Sequence, residues 1–516
     1  MKNKLSIILG LAACVVISSC SKDLLEQTNP NSSTIENYFQ SETDVLQAVN
    51  GIYQSLRSGD CIGENSGLYT EDRAGNTGGV DVQSNSGEPF QFGDFSILPS
   101  NSYLKKHWLA FYQSITRANI VLSNIDRVTF ANADTKAGYI AEAKFIRAMI
   151  YFNLVRKFGD VPLVTKQLSY ANGDVQANTF RTKDTAVYTQ IVADLKDVLA
   201  SPLPNFQTGG NVGRVSKAAA NALLGQVYLT MATTIEDGKR AANLAAAKTY
   251  LTACYDMRPF ANLSDIPYAD VFDVTKKAKN PETILSIVYK QGDLTYSSSI
   301  AANNQAKGET INSKKVATGI GGSVRLDLVN EYEVTDVRKD YSVKYGNDAI
   351  VKAWFITKFR DTTAGATIGA ASGYGGNDCP VIRYADVILM LSEVNLYLGD
   401  NASAITYLNM VRTRAGLPTY EVSITDPAYV AKYPTLKLAL LHERRVELAF
   451  EQKYWYDLLR FFTTDELVAF YHAKIQAEFG TPKLANFSKK DRYFPIPFDE
   501  NKLDPVKMYQ NPGYNQ

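Results

Sequence analysis

The sequence predicts a mainly α-helical fold in which helices pack in pairs and irregular segments lie between them. Long amphipathic stretches dominate the chain, with apolar residues recurring at three- and four-residue spacing. Gly159, Gly399 and Gly416 fall just past such stretches, where a helix C-terminus favours a left-handed residue. The predicted helices are Thr43–Leu56, Tyr103–Ile125, Tyr139–Phe158, Asp184–Leu199, Lys217–Ala232, Ala241–Tyr255, Tyr384–Leu398, Ser403–Arg414, Leu436–Phe450 and Tyr454–Phe462.

Two of the predicted helix pairs carry small and aromatic residues at the spacing of a tetratricopeptide repeat. In one first helix, Gly225 is followed by Tyr228; in a second pair, Ser392, Ala404 and Leu408 stand at the expected offsets. Small residues let paired helices approach, while the aromatic ring fills the next groove. We therefore expect a tetratricopeptide-like α-α superhelix.

Between the helices lie long segments rich in glycine, asparagine and serine, at Leu68–Asn101, Gln291–Ser323 and Asp361–Asp378. Loops of this length are uncommon unless they are functional or disordered. Short strands are predicted beside them at Ile284–Tyr289 and Ala353–Phe359. The segments between the helices are therefore expected to be irregular and bordered by short strands.

The N-terminus has the features of an export signal that ends in a lipidated cysteine. Lys2 and Lys4 precede the apolar run Leu5–Ile17, which is too short to span a bilayer, for which about 20 residues are needed. The run ends in Ile-Ser-Ser-Cys20, a pattern that resembles a bacterial lipobox. Cys14 also fits, but cleavage there would leave apolar residues on the mature protein. Residues 1–19 are predicted to be a lipoprotein signal peptide and residues 20–40 a lipid-anchored tether.

Charge and composition exclude several classes of partner and site. The net charge is +1, from 54 basic and 53 acidic residues, which offers no electrostatic case for nucleic acid. The three remaining cysteines besides Cys20 in the mature chain are odd in number and far apart, which supports neither a disulfide framework nor a metal knuckle. With only three histidines in the chain, His107, His442 and His472, a multi-histidine metal site is not expected. No cofactor is expected; a loop Ca²⁺ stays open, although no EF-hand pattern occurs.

The sequence favours a binding protein over an enzyme. It contains no G-x-S-x-G, Walker A or H-E-x-x-H motif. A glycosidase would need two carboxylates across a cleft, and with 53 acidic residues the sequence neither places nor excludes such a pair. A chain without a catalytic motif is therefore predicted to have no enzymatic activity.

Residues 440–461, LLHERRVELAFEQKYWYDLLRF, combine a histidine with many charged groups and are predicted to be helical. Glu443, Glu447 and Glu451 recur every four residues and would share one face, within reach of flanking arginines. The opposite face carries a packing stripe of Leu441, Leu448 and Trp455. A charged ladder beside an apolar stripe indicates an interhelical salt-bridge seam, so Glu447→Gln is expected to cost stability and leave ligand affinity unchanged.

Several blocks taken together resemble the SusD/RagB family of Bacteroidetes outer-membrane lipoproteins. They run in the family's order from about residue 20 to residue 516. After the lipobox they read DVLQAVNGIYQSL, FYQSITRANIVLSNID, EAKFIRAMIYFNLVRKFGDVPLV, GRVSKAAANALLGQVYL, VIRYADVILMLSEV, LNMVRTRAGLP, ERRVELAFEQKYWYDLLRF, YFPIPFDE and YQNPGYNQ. Any one block alone would be a weak signal, whereas their order over the whole chain is specific.

The resemblance implies about four tetratricopeptide-like helix pairs on one side and, on the other, irregular loop-rich segments with short strands that carry the ligand site. An N-terminal region at 41–290 and a C-terminal region at 291–516 would form one continuous unit. It implies a lipid anchor in the outer membrane, an extracellular orientation and a SusC-like TonB-dependent transporter as partner. The ligand would be an oligosaccharide. The alternatives are capture of peptides or another nutrient, as in RagB-like members, or a helical-repeat scaffold without a small ligand.

Carbohydrate capture needs aromatic rings that stack on sugar CH groups, and amide, acidic or arginine side chains that bind hydroxyls. Leu68–Trp108 is the richest mixture of these residue types in a loop. Its candidates are Tyr69, Asp72, Arg73, Asn76, Phe90, Phe92, Phe95, Asn101 and Tyr103. The resemblance adds a mid-chain loop with Tyr296, Gln291 and Asp293. Arg73→Ala and Tyr296→Ala are expected to weaken binding without lowering the melting temperature.

Overall fold

The computed structural model describes residues 35–64, 66–78, 87–169, 173–293, 295–304, 323–347, 352–361 and 375–515. The predicted signal peptide, Cys20 and parts of the three long loops lie outside the described residues. Within the described ranges, no helix has the length and apolar character needed to cross a membrane.

The fold is mainly helical, as the sequence predicts, and all ten predicted helices form. Most ends agree within about two residues, although the helix predicted from Tyr139 begins six residues earlier, at Ala133. The long helices are α1 (Glu42–Leu56), α2 (Ser102–Asn124), α3 (Ala133–Phe158), α4 (Asp184–Ala200), α5 (Lys217–Thr234), α6 (Arg240–Asp256), α7 (Tyr384–Tyr397), α8 (Asn401–Arg414), α9 (Leu436–Glu447) and α10 (Tyr454–Phe461).

Short elements fill the segments between the long helices. Three antiparallel strand pairs form, β1 with β2, β3 with β6 and β4 with β5. The strands are β1 (Val161–Pro162), β2 (Arg181–Thr182), β3 (Thr283–Ile287), β4 (Val343–Asn347), β5 (Lys352–Ile356) and β6 (Cys379–Arg383). The short helices are Ile35–Tyr38, Glu71–Ala74, Gly87–Gly93, Asp174–Asn178, Ile300–Asn303, Leu326–Val329, Val337–Ser342, Tyr420–Ser423, Pro427–Lys432, Thr464–His472, Gln476–Phe479 and Phe498–Leu503.

Consecutive long helices pack against one another from α1 to α8, which builds the superhelix. The small residues lie at the predicted close approaches: a Cβ added at Gly225 would come within 2.6 Å of the Leu251 side chain. Tyr228 stacks on Tyr250 with ring centroids 5.7 Å apart, and Ser392 Oγ donates to the Ala404 carbonyl at 2.7 Å. The tetratricopeptide-like interpretation of these residues is confirmed.

The helix predicted over Leu436–Phe450 ends early, so the break before α10 is longer than the sequence predicts. α9 ends at Glu447, and Phe450 and Gln452 adopt left-handed conformations with φ of 66° and 61°. The Lys358 ammonium donates to the carbonyls of Glu447 and Ala449, at 3.2 and 2.8 Å. A side-chain cation thus satisfies carbonyls that the next helical turn would otherwise use.

The glutamates of this stretch lie in a buried ionic network, so the predicted salt-bridge seam forms. Glu447 pairs with Arg338 at 2.9 Å, Arg383 at 2.6 Å and Arg414 at 2.5 Å. Glu451, beyond the end of α9, pairs with Lys358 at 2.6 Å and with Arg383 at 2.7 Å. The cations come from α8, from the end of β6, from the short helix Val337–Ser342 and from the segment after β5, so the network ties the helix pairs to the loop-rich side.

Candidate ligand-binding site

Arg73, a predicted ligand contact, is fully buried and serves the core. Its guanidinium donates to the Asp491 carbonyl at 2.6 Å and pairs with the Asp491 carboxylate at 3.2 Å. It also lies over the rings of Phe95, Trp455 and Phe494, at 5.1–5.5 Å. The prediction for Arg73 is therefore corrected, because a side chain closed off from solvent cannot meet a ligand there.

The remaining buried candidates are Tyr69, Asn76, Phe92, Phe95 and Asn101. Tyr69 stacks on the His107 ring at 3.7 Å and donates to Asp60 at 2.8 Å. Asn76 donates to Glu71 at 2.8 Å, and Asn101 caps α2 by accepting from the backbone N–H of Tyr103 and Leu104. These side chains hold the segment against the body of the protein, so the prediction that they contact ligand is corrected as well.

Three loop candidates keep part of their surface exposed: Asp72, Phe90 and Tyr103. Burial raises the pKa of Asp72, against the opposing effects of the Thr77 hydroxyl and Arg325. The Tyr103 ring lies under the Lys106 ammonium at 5.0 Å, and its carbonyl accepts from Tyr69 at 3.2 Å. None of the three lines the cavities that contain Tyr296.

Tyr296 lies between two adjoining surface cavities of about 260 and 430 Å³, and its side chain is 47% exposed. Both cavities share Gln54, Arg57 and Tyr296 as lining residues. They open between the C-terminal turn of α1, strand β3 and the loop that follows β3. Of the sequence-predicted candidates, Tyr296 alone lines these cavities.

The Arg57 guanidinium lies over two tyrosine rings at the shared wall of the cavities. Its central carbon is 4.5 Å from the Tyr289 ring centroid and 5.0 Å from that of Tyr296. A cation over an aromatic face is attracted by the ring quadrupole, which fixes both partners. Arg57 therefore orients an exposed ring toward solvent.

Asp293 and Gln291 shape the loop that carries Tyr296 and do not line the cavities. Asp293 accepts from the backbone N–H of Thr295 at 2.9 Å and of Tyr296 at 3.0 Å, and these donors lower its pKa. The Lys290 N–H donates to the Tyr296 carbonyl at 2.7 Å and closes the loop. Gln291 is exposed and donates to Asp361 at 2.7 Å. Asp293 and Gln291, predicted as ligand contacts, instead hydrogen-bond within the protein near Tyr296.

Glu64 fastens the same loop to the segment after α1. Its carboxylate accepts four hydrogen bonds, from the Ser298 hydroxyl, from both the N–H and the hydroxyl of Ser299 at 2.6 Å, and from the Ile300 N–H at 3.3 Å. The outer, 430 Å³ cavity lies in front of this junction and is also lined by Gln113 and Arg117 of α2. These residues escaped sequence reasoning, since single polar residues on a helix surface carry no local signal.

The inner, 260 Å³ cavity has an apolar floor and a polar rim. Phe145, Ile146 and Met149 of α3 and Leu285 of β3 supply apolar surface. On the rim, Arg214 pairs with Glu142 at 2.9 Å and donates to Asn50 at 2.9 Å. A pocket that combines apolar surface with a few placed polar groups is the usual form of a small-ligand site.

The described lining residues of the two cavities are of the types that bind polar ligands. Glu64 is the one carboxylate among their described lining residues, and its oxygens already accept hydrogen bonds from the neighbouring loop. Hydrolysis of a glycosidic bond needs two acting carboxyl groups across the bond. The lining amides, hydroxyls, arginines and exposed tyrosine can instead hydrogen-bond and stack.

Glu333, His442 and Glu443 come close enough to hold a metal ion, but other cations already occupy their oxygens. Arg412 pairs with Glu333 at 2.7 Å and with Glu443 at 3.1 Å, and Arg338 pairs with Glu443 at 2.6 Å. Burial opposes charge on His442, yet hydrogen bonds to Glu331 and Glu333 outweigh burial and raise its pKa. The cluster therefore belongs to the buried ionic network.

Comparisons with known proteins agree on one family. A model described as the SusD family matches residues 274–514, and one described as "Starch-binding associating with outer membrane" matches residues 23–229. A SusD-like protein of Formosa agariphila is 27% identical, over 93% of this chain and 94% of its own. A solved laminarin-binding SusD-like protein is 26% identical, with a TM-score of 0.71 over 92% of this chain and 100% of its own. A SusD superfamily protein of Parabacteroides distasonis, 22% identical, shares the fold with a TM-score of 0.73 over 92% and 99%.

Proposed function

This chain belongs to the SusD family, and we propose that it binds oligosaccharides at the cell surface and passes them to a SusC-like TonB-dependent transporter for uptake. The observation that carries the proposal is the exposed Tyr296 ring, held by Arg57 between two cavities with amide and hydroxyl linings. The laminarin-binding relative, similar over nearly the whole chain, supports a glycan as the ligand class. On this proposal the protein binds its ligand and leaves it chemically unchanged.

The surroundings of Tyr296 suit both the CH groups and the hydroxyl groups of a sugar. The CH groups of a pyranose stack on an aromatic ring, and the exposed part of Tyr296 offers such a surface. Gln54 and Gln113 are exposed on the neighbouring helices, and both line the outer cavity. Their amides can donate to and accept from adjacent hydroxyls. A shallow site of this kind is expected to bind with micromolar to millimolar dissociation constants, about 4–8 kcal/mol.

Tyr296→Ala is expected to weaken glycan binding about tenfold or more, since it removes the stacking surface and frees Arg57. The dissociation constant is measured by isothermal titration calorimetry of the full chain with a glycan identified on an oligosaccharide array. Tyr345→Ala is the matched control, because Tyr345 is also 47% exposed but lies in β4, away from both cavities. Loss of binding in Tyr345→Ala with retention in Tyr296→Ala would place the site elsewhere. Binding of peptides and no glycan would overturn the ligand class.

The proposed location rests on Cys20, which we propose carries the lipid anchor in the outer membrane. Cys20→Ser is expected to abolish incorporation of labelled palmitate and to move the protein out of the membrane fraction, because the acyl chains are lost. Cys14→Ser is the control and should leave both unchanged. Labelling that persists in Cys20→Ser would contradict the anchor. Co-purification of a TonB-dependent barrel from the same membranes is the expected sign of the transporter.

A further inference from the structure

We propose that the cavities beside Tyr296 select acidic saccharides, those that carry a carboxylate or sulfate group, and that Arg57 binds this group. The inference rests on the proposed function, since it names the ligand class of the same site. It is carried by two arginines of the outer cavity, Arg57 and Arg117, that have no carboxylate partner among the described residues.

Arg57 differs from four fully buried arginines of this chain. Arg73, Arg338, Arg383 and Arg412 each pair with at least one carboxylate. The Arg57 guanidinium, by contrast, makes no hydrogen bond or ion pair with the residues that the structure describes, and lies over the two tyrosine rings. Ring contacts occupy the face of the guanidinium plane and leave the N–H groups at its edge to donate.

Arg117 adds a second positive charge to the outer cavity. Its side chain is exposed on α2, and one N–H group donates to the Gly51 carbonyl at 3.0 Å. That bond fixes the guanidinium without neutralising its charge, since the acceptor is a neutral carbonyl. Arg57, at the C-cap of α1, and Arg117, on α2, therefore present two cations to one cavity.

The charges around these two arginines offset them only in part. Arg214 on the inner rim is paired with Glu142. Glu64 keeps its negative charge, because the Ser298–Ile300 groups that donate to it are neutral, so the outer cavity is lined by two arginines and one carboxylate. The whole chain has a net charge of only +1, so the positive potential is a property of this cavity and not of the protein.

The geometry suits an anionic sugar in particular. A guanidinium binds carboxylate or sulfate through two parallel N–H···O bonds, and such charge-assisted bonds are about twice as strong as neutral ones. Arg57 lies over the Tyr296 ring, which stays 47% exposed. A sugar stacked on that ring can reach the guanidinium edge with its acidic substituent. The hydroxyl groups of a neutral sugar would accept weaker hydrogen bonds from the same N–H groups.

The test pairs acidic glycans with neutralised counterparts of the same length. The probes are oligogalacturonates against their methyl esters, and sulfated against desulfated galactan and glycosaminoglycan oligosaccharides. The full chain is expected to bind at least one acidic member about tenfold more tightly than its neutral counterpart at ~50 mM salt, with the difference shrinking at ~500 mM. Arg57→Gln is expected to remove this difference.

Arg258→Gln is the matched control. Arg258 also lies over a tyrosine ring, that of Tyr255 at 3.9 Å, and also lacks a carboxylate partner among the described residues, but it lines neither cavity. The control should keep the preference for acidic probes. Arg117→Gln, an exposed change that should not disturb folding, is expected to reduce the preference in part.

The outcomes separate this inference from the proposed function. Equal binding of acidic and neutral probes that Tyr296→Ala abolishes and Arg57→Gln leaves unchanged would overturn acid selection while the glycan site stands. Absence of binding to every glycan would overturn the proposed function and this inference with it. A loss in Arg258→Gln equal to that in Arg57→Gln would show a general charge effect and would also overturn the assignment to Arg57.

Discussion

Glu447→Gln is expected to lower the free energy of unfolding by about 3–5 kcal/mol, the range for breaking a buried ion pair. Glu447 is fully buried and accepts from Arg338, Arg383 and Arg414. Burial alone would disfavour its charge, but these arginines outweigh that effect and hold its pKa well below the usual range. A glutamine cannot balance three guanidinium groups, so uncompensated positive charge would remain in the core.

Urea unfolding of the full chain, followed by circular dichroism, measures this loss. Glu236→Gln is the control, because Glu236 is exposed and the same charge is removed at the surface. Its expected effect is within about 0.5 kcal/mol. Folded Glu447→Gln should bind glycan as tightly as the parent, since Glu447 lines neither cavity. A loss below 1 kcal/mol, or a selective loss of affinity, would contradict the structural role.

Arg73→Ala is expected to destabilise the protein by a comparable amount, about 3–5 kcal/mol. The change empties a volume between Phe95, Trp455 and Phe494 and removes a cation from the buried Asp491 carboxylate. Lys490, at 2.9 Å, would remain as a partner of Asp491 but comes from the neighbouring position and is less buried. The melting temperature should therefore fall, contrary to the expectation from sequence.

Thermal and urea unfolding of Arg73→Ala would be compared with those of Arg127→Ala. Arg127 is exposed at the end of α2 and hydrogen-bonds to Asn124 at 3.1 Å, so its removal should be nearly neutral. Titration with glycan decides between the two interpretations of Arg73. If Arg73→Ala kept its melting temperature but lost glycan affinity, Arg73 would be a ligand contact, and its structural role in the core would be wrong.

The helices could be predicted because their signal is local. Apolar residues at three- and four-residue spacing mark the buried face of each helix, whatever that face packs against. The same reasoning failed at α9, which ends at Glu447 although the pattern continues. The stop depends on Lys358, a residue about 90 positions earlier in sequence, which takes the terminal carbonyls.

The candidate site was predictable only in part. Tyr296 came from the resemblance and does line both cavities, whereas six loop residues of the right chemical type are buried. An arginine that binds sugar and an arginine that binds Asp491 look alike in sequence, because the carboxylate partner is 418 positions away. Arg57 was missed because the sequence does not show that its guanidinium has no carboxylate partner among the described residues.

By itself, the sequence determined that this chain is helical, that its helices pair through small residues such as Gly225, and which family it belongs to. These properties depend on spacing along the chain and on side-chain size at close approaches. The tertiary structure alone decided which polar groups are buried in the core and which line the exposed cavities. Electrostatic pairing and burial are set by contacts between segments that are distant in sequence. Such contacts pair Glu447 with three arginines, whereas Arg57 lies beside an exposed ring without a carboxylate partner among the described residues.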